Sequence, residues 1–94
     1  MRYRILSVGT DLSLLNTRQA VLASRGYDSL IATPEDFDEQ LRSGRFDLVI
    51  LSVMLSQEQR DRVLTKLPAG TRTLVLKTLV WPNDLLRMVA EVLG

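Results

Sequence analysis

The residues that could take part in binding or catalysis follow directly after hydrophobic runs in the sequence. They are Gly9, Thr10 and Asp11 after the first run, Ser52 after the third, and Lys77 and Thr78 after the fourth. Open α/β sheets bind ligands beyond the carboxyl ends of their strands, and helix N-termini attract anions. These positions could therefore bind an anion or a nucleotide.

The simpler interpretation of the first cluster is an ordinary turn between a strand and a helix. The chain lacks both the Gly-x-Gly-x-x-Gly motif and the Gly-Lys-Ser/Thr ending of phosphate-binding loops. Asp11 has a short side chain that can accept a hydrogen bond from the first helical turn, as Ser13 also can. We therefore expect Asp11 to cap a helix rather than to bind a metal.

The composition excludes several kinds of active site. The 94 residues include no histidine and no cysteine. Their absence rules out Ser-His-Asp triads, phosphohistidine carriers, thiol catalysis, disulfides and metal sites built on histidine or cysteine.

The charged residues do not indicate a nucleic-acid partner. Twelve basic and eleven acidic residues give a net charge of +1, and ten of the basic residues are arginines. Seven of these arginines are spread over predicted helices and loops with carboxylates between them: Arg18, Arg25, Arg42, Arg45, Arg60, Arg62 and Arg87. We expect them to form a solvated surface.

The length and the apolar runs predict a single cytoplasmic domain over residues 1–94. No run reaches the roughly 18 apolar residues of a membrane-spanning helix, so no membrane partner is expected. The apolar run after Arg4 is also too short for the core of a signal peptide.

Short β-like runs alternate with helical patterns along the chain. The predicted strands cover residues 4–8, 29–32, 46–51 and 73–76, with an extension of the last to residue 80 left open. The predicted helices begin near residues 11–13, 34, 57 and 82, and the first three end near residues 25, 44 and 67. Four strand–helix pairs predict an α/β domain with a parallel sheet and right-handed crossovers.

Local signals place the helix boundaries and the buried faces. Thr33 and Pro34 have the pattern of an N-cap with proline at the first helical position, and residues 56–59 have that of a capping box. The apolar run over residues 48–51 indicates a strand covered on both faces. The predicted inward side chains are Leu14, Leu15, Val21 and Leu22 in the first helix, Phe37 and Leu41 in the second, Val63, Leu64 and Leu67 in the third, and Leu85, Met88, Val89 and Val92 in the last.

Three segments resemble the receiver domain of two-component response regulators. They are the hydrophobic run and turn over residues 5–11, the helix exit Arg25-Gly26-Tyr27, and the run over residues 46–56. The resemblance covers residues 4–67. It implies a flavodoxin-like, CheY-like three-layer α/β/α fold with about four strands in the order 2-1-3-4, short by about one αβ unit.

The resemblance also implies which functional positions have changed. The acidic pair that holds Mg²⁺ in the family falls on Gly9 and Thr10, with Asp11 one position later, and the phosphoacceptor aspartate falls on Ser52. Magnesium prefers carboxylate ligands, and a serine without a neighbouring base is a weak nucleophile. We therefore expect no bound Mg²⁺ or other cofactor, no enzymatic activity and no aspartyl phosphorylation.

Two alignments remain open for the last third of the chain. Lys77, with Thr78 beside it, could stand where the family has its switch hydroxyl at the end of strand four. Alternatively, Lys77 is the lysine at the end of the family's strand five, and one strand with its helix has been deleted. The residues from Trp81 to Leu86 resemble the start of the family's last helix, which favours the deletion.

The apolar segment around the fourth strand predicts self-association. Its candidate contact residues are Leu74, Leu76, Leu79, Val80 and Trp81. An edge strand leaves backbone donors and acceptors unpaired, and pairing across a two-fold axis would cover them. Alternatively, the final helix and loop fold over this edge.

Three functional hypotheses follow. The first is a pseudo-receiver that acts by protein–protein contacts in two-component signalling, as a homodimer and with a histidine kinase or an effector protein as partner. The second is a phosphoryl-accepting regulator of a phosphorelay, with an atypical site that uses Mg²⁺ and either Asp11 or a relocated carboxylate. The third is an anion or nucleotide binder at the strand ends around Gly9, Ser52 and Lys77.

Overall fold

The computed structural model describes residues 2–94 and shows four strands and four helices in alternation. Their bounds are β1 (Arg4–Val8), α1 (Leu12–Ala23), β2 (Asp28–Ala32), α2 (Phe37–Arg42), β3 (Leu48–Leu51), α3 (Gln57–Lys66), β4 (Arg72–Val75) and α4 (Pro82–Leu93). The strands form one parallel sheet in the order β2-β1-β3-β4. The predicted α/β class and the predicted strand order are therefore confirmed.

Helices cover both faces of the sheet, because successive strand residues point to opposite sides. One hydrophobic cluster joins the sheet to α2 and α3 and includes Leu6, Val8, Val49, Leu51, Phe37 and Val63. The other joins the sheet to α1 and α4 and includes Ile5, Leu48, Ile50, Leu22, Leu85, Val89 and Leu93. Every residue of β3 is buried, which confirms the prediction from its continuous apolar run.

Several helix boundaries follow from local chemistry. The capping box that opens α3 is present: the Ser56 Oγ accepts from the Gln59 N–H at 3.1 Å, and the Gln59 Oε1 accepts from the Ser56 N–H at 2.9 Å. Pro82 begins α4, as predicted. Gly26, at φ 86°, turns the chain after α1 in a conformation that residues with a Cβ rarely adopt.

Two element boundaries differ from the prediction, because at each of them a carboxylate side chain accepts a hydrogen bond from a backbone N–H. The Asp36 Oδ1 accepts from the Thr33 N–H at 2.6 Å, so residues 33–36 close a turn and α2 begins only at Phe37. Likewise, the Asp47 Oδ2 accepts from the Arg4 N–H at 2.8 Å, and β3 begins at Leu48 rather than at residue 46.

The structure settles the end of β4, and two inward side chains were predicted wrongly. β4 ends at Val75, and strand pairing does not extend to residue 80. Leu14 of α1 and Leu64 of α3 are exposed. Each helix packs on the sheet along a narrow stripe, so the neighbours Leu15 and Val63 are buried in their place.

The helices are short. The longest, α1 and α4, have 12 residues each, whereas a helix needs roughly 20 apolar residues to cross a bilayer. Within residues 2–94, no helix has the length and apolar character to do so.

Candidate functional site at the carboxyl end of the sheet

Gly9 and Ser52 lie side by side at the carboxyl ends of the two central strands. The Ser52 N–H donates to the Val8 carbonyl at 3.0 Å, which extends the β1–β3 ladder by one residue. A Cβ atom added to Gly9 would lie 2.5 Å from the Ser52 Oγ and 3.0 Å from its Cβ. Any side chain at residue 9 would therefore force Ser52 to move, so glycine is the residue that fits there.

The Ser52 hydroxyl is covered by an arginine from α1. The Arg18 Nη1 donates a hydrogen bond to the Ser52 Oγ at 2.8 Å. Ser52 is only 8% exposed, and Arg18 is half-buried. Burial lowers the pKa of the Arg18 guanidinium from its ordinary value. Among residues 2–94, no carboxylate lies within ion-pair distance of Arg18.

This pair has little capacity for nucleophilic chemistry. A guanidinium has donors but no acceptor, so Arg18 cannot take a proton from the serine hydroxyl. A hydroxyl without an adjacent base is a weak nucleophile. The arrangement therefore positions and shields Ser52 rather than activating it.

Arg18 was wrongly assigned to the solvated surface. It stands three residues after Leu15 and four before Leu22, the two buried residues of α1. That spacing places it on the inward stripe of the helix. The spacing of Arg18 from these two leucines indicated an inward position, but its charge suggested an exposed one.

Residues 9–11, which follow β1, form a turn and then the N-cap of α1. The Asp11 Oδ1 accepts from the Leu14 N–H at 3.2 Å, so Asp11 is the N-cap of α1, as predicted. Thr10 is exposed in the turn between Gly9 and Asp11. The structure thus brings Gly9 and Ser52 together, whereas the Asp11 carboxylate is engaged by its own helix.

These residues do not suit Mg²⁺. The ion prefers oxygen ligands that include one or two carboxylates, and the Ser52 oxygen is already hydrogen-bonded to a cationic side chain. Across residues 2–94, no three acidic side chains converge to hold a metal ion.

Lys77 and Thr78 follow β4 and are exposed. Lys77 lines a small cleft with Val53, the residue after Ser52, and with Arg60. The Arg60 Nη1 donates to the Leu55 carbonyl at 2.7 Å. No hydrogen bond within residues 2–94 joins Lys77 to Ser52, and an anion site shared by these two residues stays a prediction.

The apolar segment after β4 is partly in the core. Leu76 is only 3% exposed, and Leu74 and Val80 pack against the same cluster on the α1 and α4 side. The assignment of Leu76 to an exposed contact surface was therefore wrong, because the chain folds it under α4. Leu79 and Trp81 remain 72% and 78% exposed, respectively.

Comparison with known proteins identifies the fold. No protein-family model matches the chain, and no curated protein matches it. A CheY-like response regulator receiver domain protein from Methanospirillum hungatei JF-1 superposes with a TM-score of 0.69 at 20% identity, over 99% of this chain and 94% of that chain. The chemotaxis protein CheY4 of Vibrio cholerae superposes with a TM-score of 0.69 at 15% identity, over 98% of this chain and 99% of that chain.

At these identities the likeness concerns the fold alone. The four-stranded sheet, its order and the surrounding helices are those of a CheY-like, flavodoxin-like receiver fold. The fold implied by the sequence resemblance is therefore confirmed.

Proposed function

We propose that this chain is a pseudo-receiver, a domain that acts through protein–protein contacts and is neither an enzyme nor phosphorylated on an aspartate. One observation carries the proposal. The residue at the position of the family's phosphoacceptor is Ser52, and its hydroxyl oxygen accepts a 2.8 Å hydrogen bond from Arg18.

The surroundings of Ser52 support the same function. The family's acidic pair falls on Gly9 and Thr10, which carry no charge, and Asp11 caps α1. A half-buried cation at this point also disfavours a second cation such as Mg²⁺, because like charges repel strongly where water is excluded. The alternative with an atypical phosphorylation site would require Asp11 to leave the helix cap.

The test is incubation with acetyl phosphate and Mg²⁺, followed by intact-mass measurement. We expect no species heavier by one phosphoryl group. A receiver domain that retains its acidic pair and aspartate, incubated in the same mixture, is the positive control. A phosphorylated species of this chain would contradict the proposal, and an Asp11→Asn variant would then show whether Asp11 is the acceptor.

The alternative anion site around Gly9, Ser52 and Lys77 has less support. Ser52 is almost closed to solvent. Within residues 2–94, the side-chain donor that reaches its hydroxyl belongs to Arg18, and Lys77 lines a small cleft with Val53 and Arg60. A ligand that binds the Ser52 hydroxyl would first have to displace the Arg18 side chain.

We further propose that the partner surface includes the outer edge of β4 and the exposed pair Leu79 and Trp81. β4 is an edge strand, paired on one side with β3. Exposed edges and large exposed apolar side chains are typical of association surfaces. Isologous pairing of two chains would cover both features.

Light scattering over a dilution series tests this surface. We expect a dimer at low micromolar concentration that Trp81→Glu converts to a monomer. The matched control is Leu64→Glu, which places the same charge on an exposed leucine of α3 in the opposite layer. A monomeric parent would contradict the dimer, and the candidate partners would then be a histidine kinase or an effector protein.

A further inference from the structure

The amino end of the sheet carries a cleft that the distribution of charge along the sequence does not reveal. Three parallel strands begin there: Arg4 opens β1, Asp47 precedes β3, and Arg72 opens β4. The cleft has a volume of about 810 Å³, within the usual range of roughly 300–1,000 Å³ for small-molecule sites. We call it the amino-end cleft.

The mouth of the amino-end cleft is strongly basic. Four arginines line it, Arg2, Arg4, Arg45 and Arg72, together with a single carboxylate, Asp47. In a chain whose net charge is only +1, this is a local concentration of positive charge. Such a concentration attracts anions and raises the rate at which they arrive.

One of these arginines, Arg4, already contacts an acidic, a carbonyl and an aromatic group of the chain. The Arg4 Nε lies 3.4 Å from the Asp28 Oδ2, its Nη1 donates to the Arg45 carbonyl at 3.1 Å, and its guanidinium lies over the Phe46 ring. The Asp47 Oδ2 accepts from the Arg4 N–H at 2.8 Å. Arg4 and Asp47 therefore build the wall of the cleft.

The other three arginines have no internal counterion. Within residues 2–94 the ion pairs are Arg4–Asp28, Lys66–Asp38 and Arg87–Asp84, so Arg2, Arg45 and Arg72 belong to none of them. All three are exposed around the same concave space. Guanidinium groups bind phosphates by paired hydrogen bonds, so three free groups suit a ligand with more than one phosphate.

The floor of the cleft is apolar. It is formed by Leu41, Val49 and Leu67, which belong to or pack against the hydrophobic cluster under α2 and α3. Leu41 and Leu67 are half-buried, so part of their surface faces the cleft. A ligand that fills the site needs an apolar or aromatic group as well as its negative charges.

From this combination we infer that the amino-end cleft binds a nucleoside polyphosphate. The phosphates contact Arg2, Arg45 and Arg72, and the base lies against Leu41 and Leu67. The cleft is a local concavity, whereas nucleic-acid strands require an extended basic track. This site lies at the opposite end of the sheet from Ser52. The inference therefore does not depend on the proposed pseudo-receiver function.

Calorimetric titration of the intact chain with ADP tests the inference. The Arg45→Ala/Arg72→Ala variant should bind ADP at least about tenfold more weakly, because two charge-assisted contacts to phosphate are lost. The matched control is Arg25→Ala/Arg62→Ala, which removes the same charge from exposed positions outside the cleft and should bind like the parent. Thermal melting should be unchanged in both variants, since none of the four arginines has an ion pair.

Two further probes separate the contributions of base and charge. Inorganic diphosphate should bind at least about fivefold more weakly than ADP, because it leaves the apolar floor uncovered. The inference is overturned if ADP does not bind, if diphosphate binds equally well, or if both double variants lose binding alike. Tighter binding of a single-stranded oligonucleotide than of ADP would also overturn it, in favour of a nucleic-acid surface.

Discussion

The two ends of the sheet differ in how their charges are satisfied. At the carboxyl end, the Arg18 cation donates to the Ser52 hydroxyl, and Asp11 is used by the helix that follows it. At the amino end, Arg45 and Arg72 face a cleft of about 810 Å³ without an ion pair among residues 2–94. Ser52 and Asp11 are thus engaged by contacts within the chain, whereas Arg45 and Arg72 line an open cleft.

This difference teaches that topology alone does not locate a binding site. Parallel sheets ordinarily bind ligands beyond the carboxyl ends of their strands. Here that end holds a buried serine under a guanidinium, and the Asp11 carboxylate caps α1. The larger concentration of positive charge lines the cleft at the other end, so the site has to be argued from its residues rather than from the fold.

The largest predicted effect concerns the tight contact at the carboxyl end. Gly9→Ala should destabilise the chain by about 1–3 kcal/mol in urea denaturation, because the new Cβ overlaps the Ser52 side chain. Ser52→Gly in the same chain removes the overlapping atoms. The double variant should therefore be more stable than the sum of the two single changes predicts, by at least about 1 kcal/mol.

Gly26→Ala is the matched control for that experiment. A Cβ at residue 26 meets nothing within 4 Å, but the backbone there has φ 86°. Its cost, about 1 kcal/mol, comes from backbone strain, so Ser52→Gly should leave it unchanged. Additive effects of Gly9→Ala and Ser52→Gly would contradict the contact between residues 9 and 52.

A smaller effect tests whether Arg18 stabilises a negative charge that is introduced at residue 52. Ser52→Asp places a carboxylate within reach of the Arg18 guanidinium, so the change should be better tolerated in the parent than in an Arg18→Met background. We expect a coupling energy of about 1 kcal/mol, reduced from that of a fully buried pair because Arg18 is only half-buried. Methionine keeps most of the packing of the arginine stem.

The control background for this cycle is Arg25→Met, an exposed arginine on the loop after α1. It should show no coupling with Ser52→Asp. Equal coupling in the two backgrounds would mean that the effect is one of overall charge, and that Arg18 has no particular relation to residue 52.

Local patterns predicted the fold well. The alternation of strands and helices, the buried β3 and the capping box at Ser56 each depend on residues close together in sequence. The late start of α2 was missed because Asp36 bonds backward to Thr33, an alternative that composition does not distinguish from a helical cap.

The two charged sites were harder to predict because long side chains connect distant segments. Arg18 and Ser52 are 34 positions apart in sequence, and Arg2, Arg45 and Arg72 come from three separate segments. The sequence positions of the three cleft arginines nevertheless indicated that they lie together. Residues 2, 45 and 72 each stand at or just before the start of a strand, and parallel strands bring their starts to one edge.

The most direct test of the contrast between the two ends is a ¹⁵N–¹H spectrum of the labelled chain during titration with ADP in the presence of Mg²⁺. We predict shifts of the backbone amides of Arg45, Thr71 and Arg72, with those of Gly9, Thr10 and Ser52 unmoved. Shifts concentrated at Gly9, Thr10 and Ser52 would contradict the account, because they would show that the carboxyl end is the one that binds ADP.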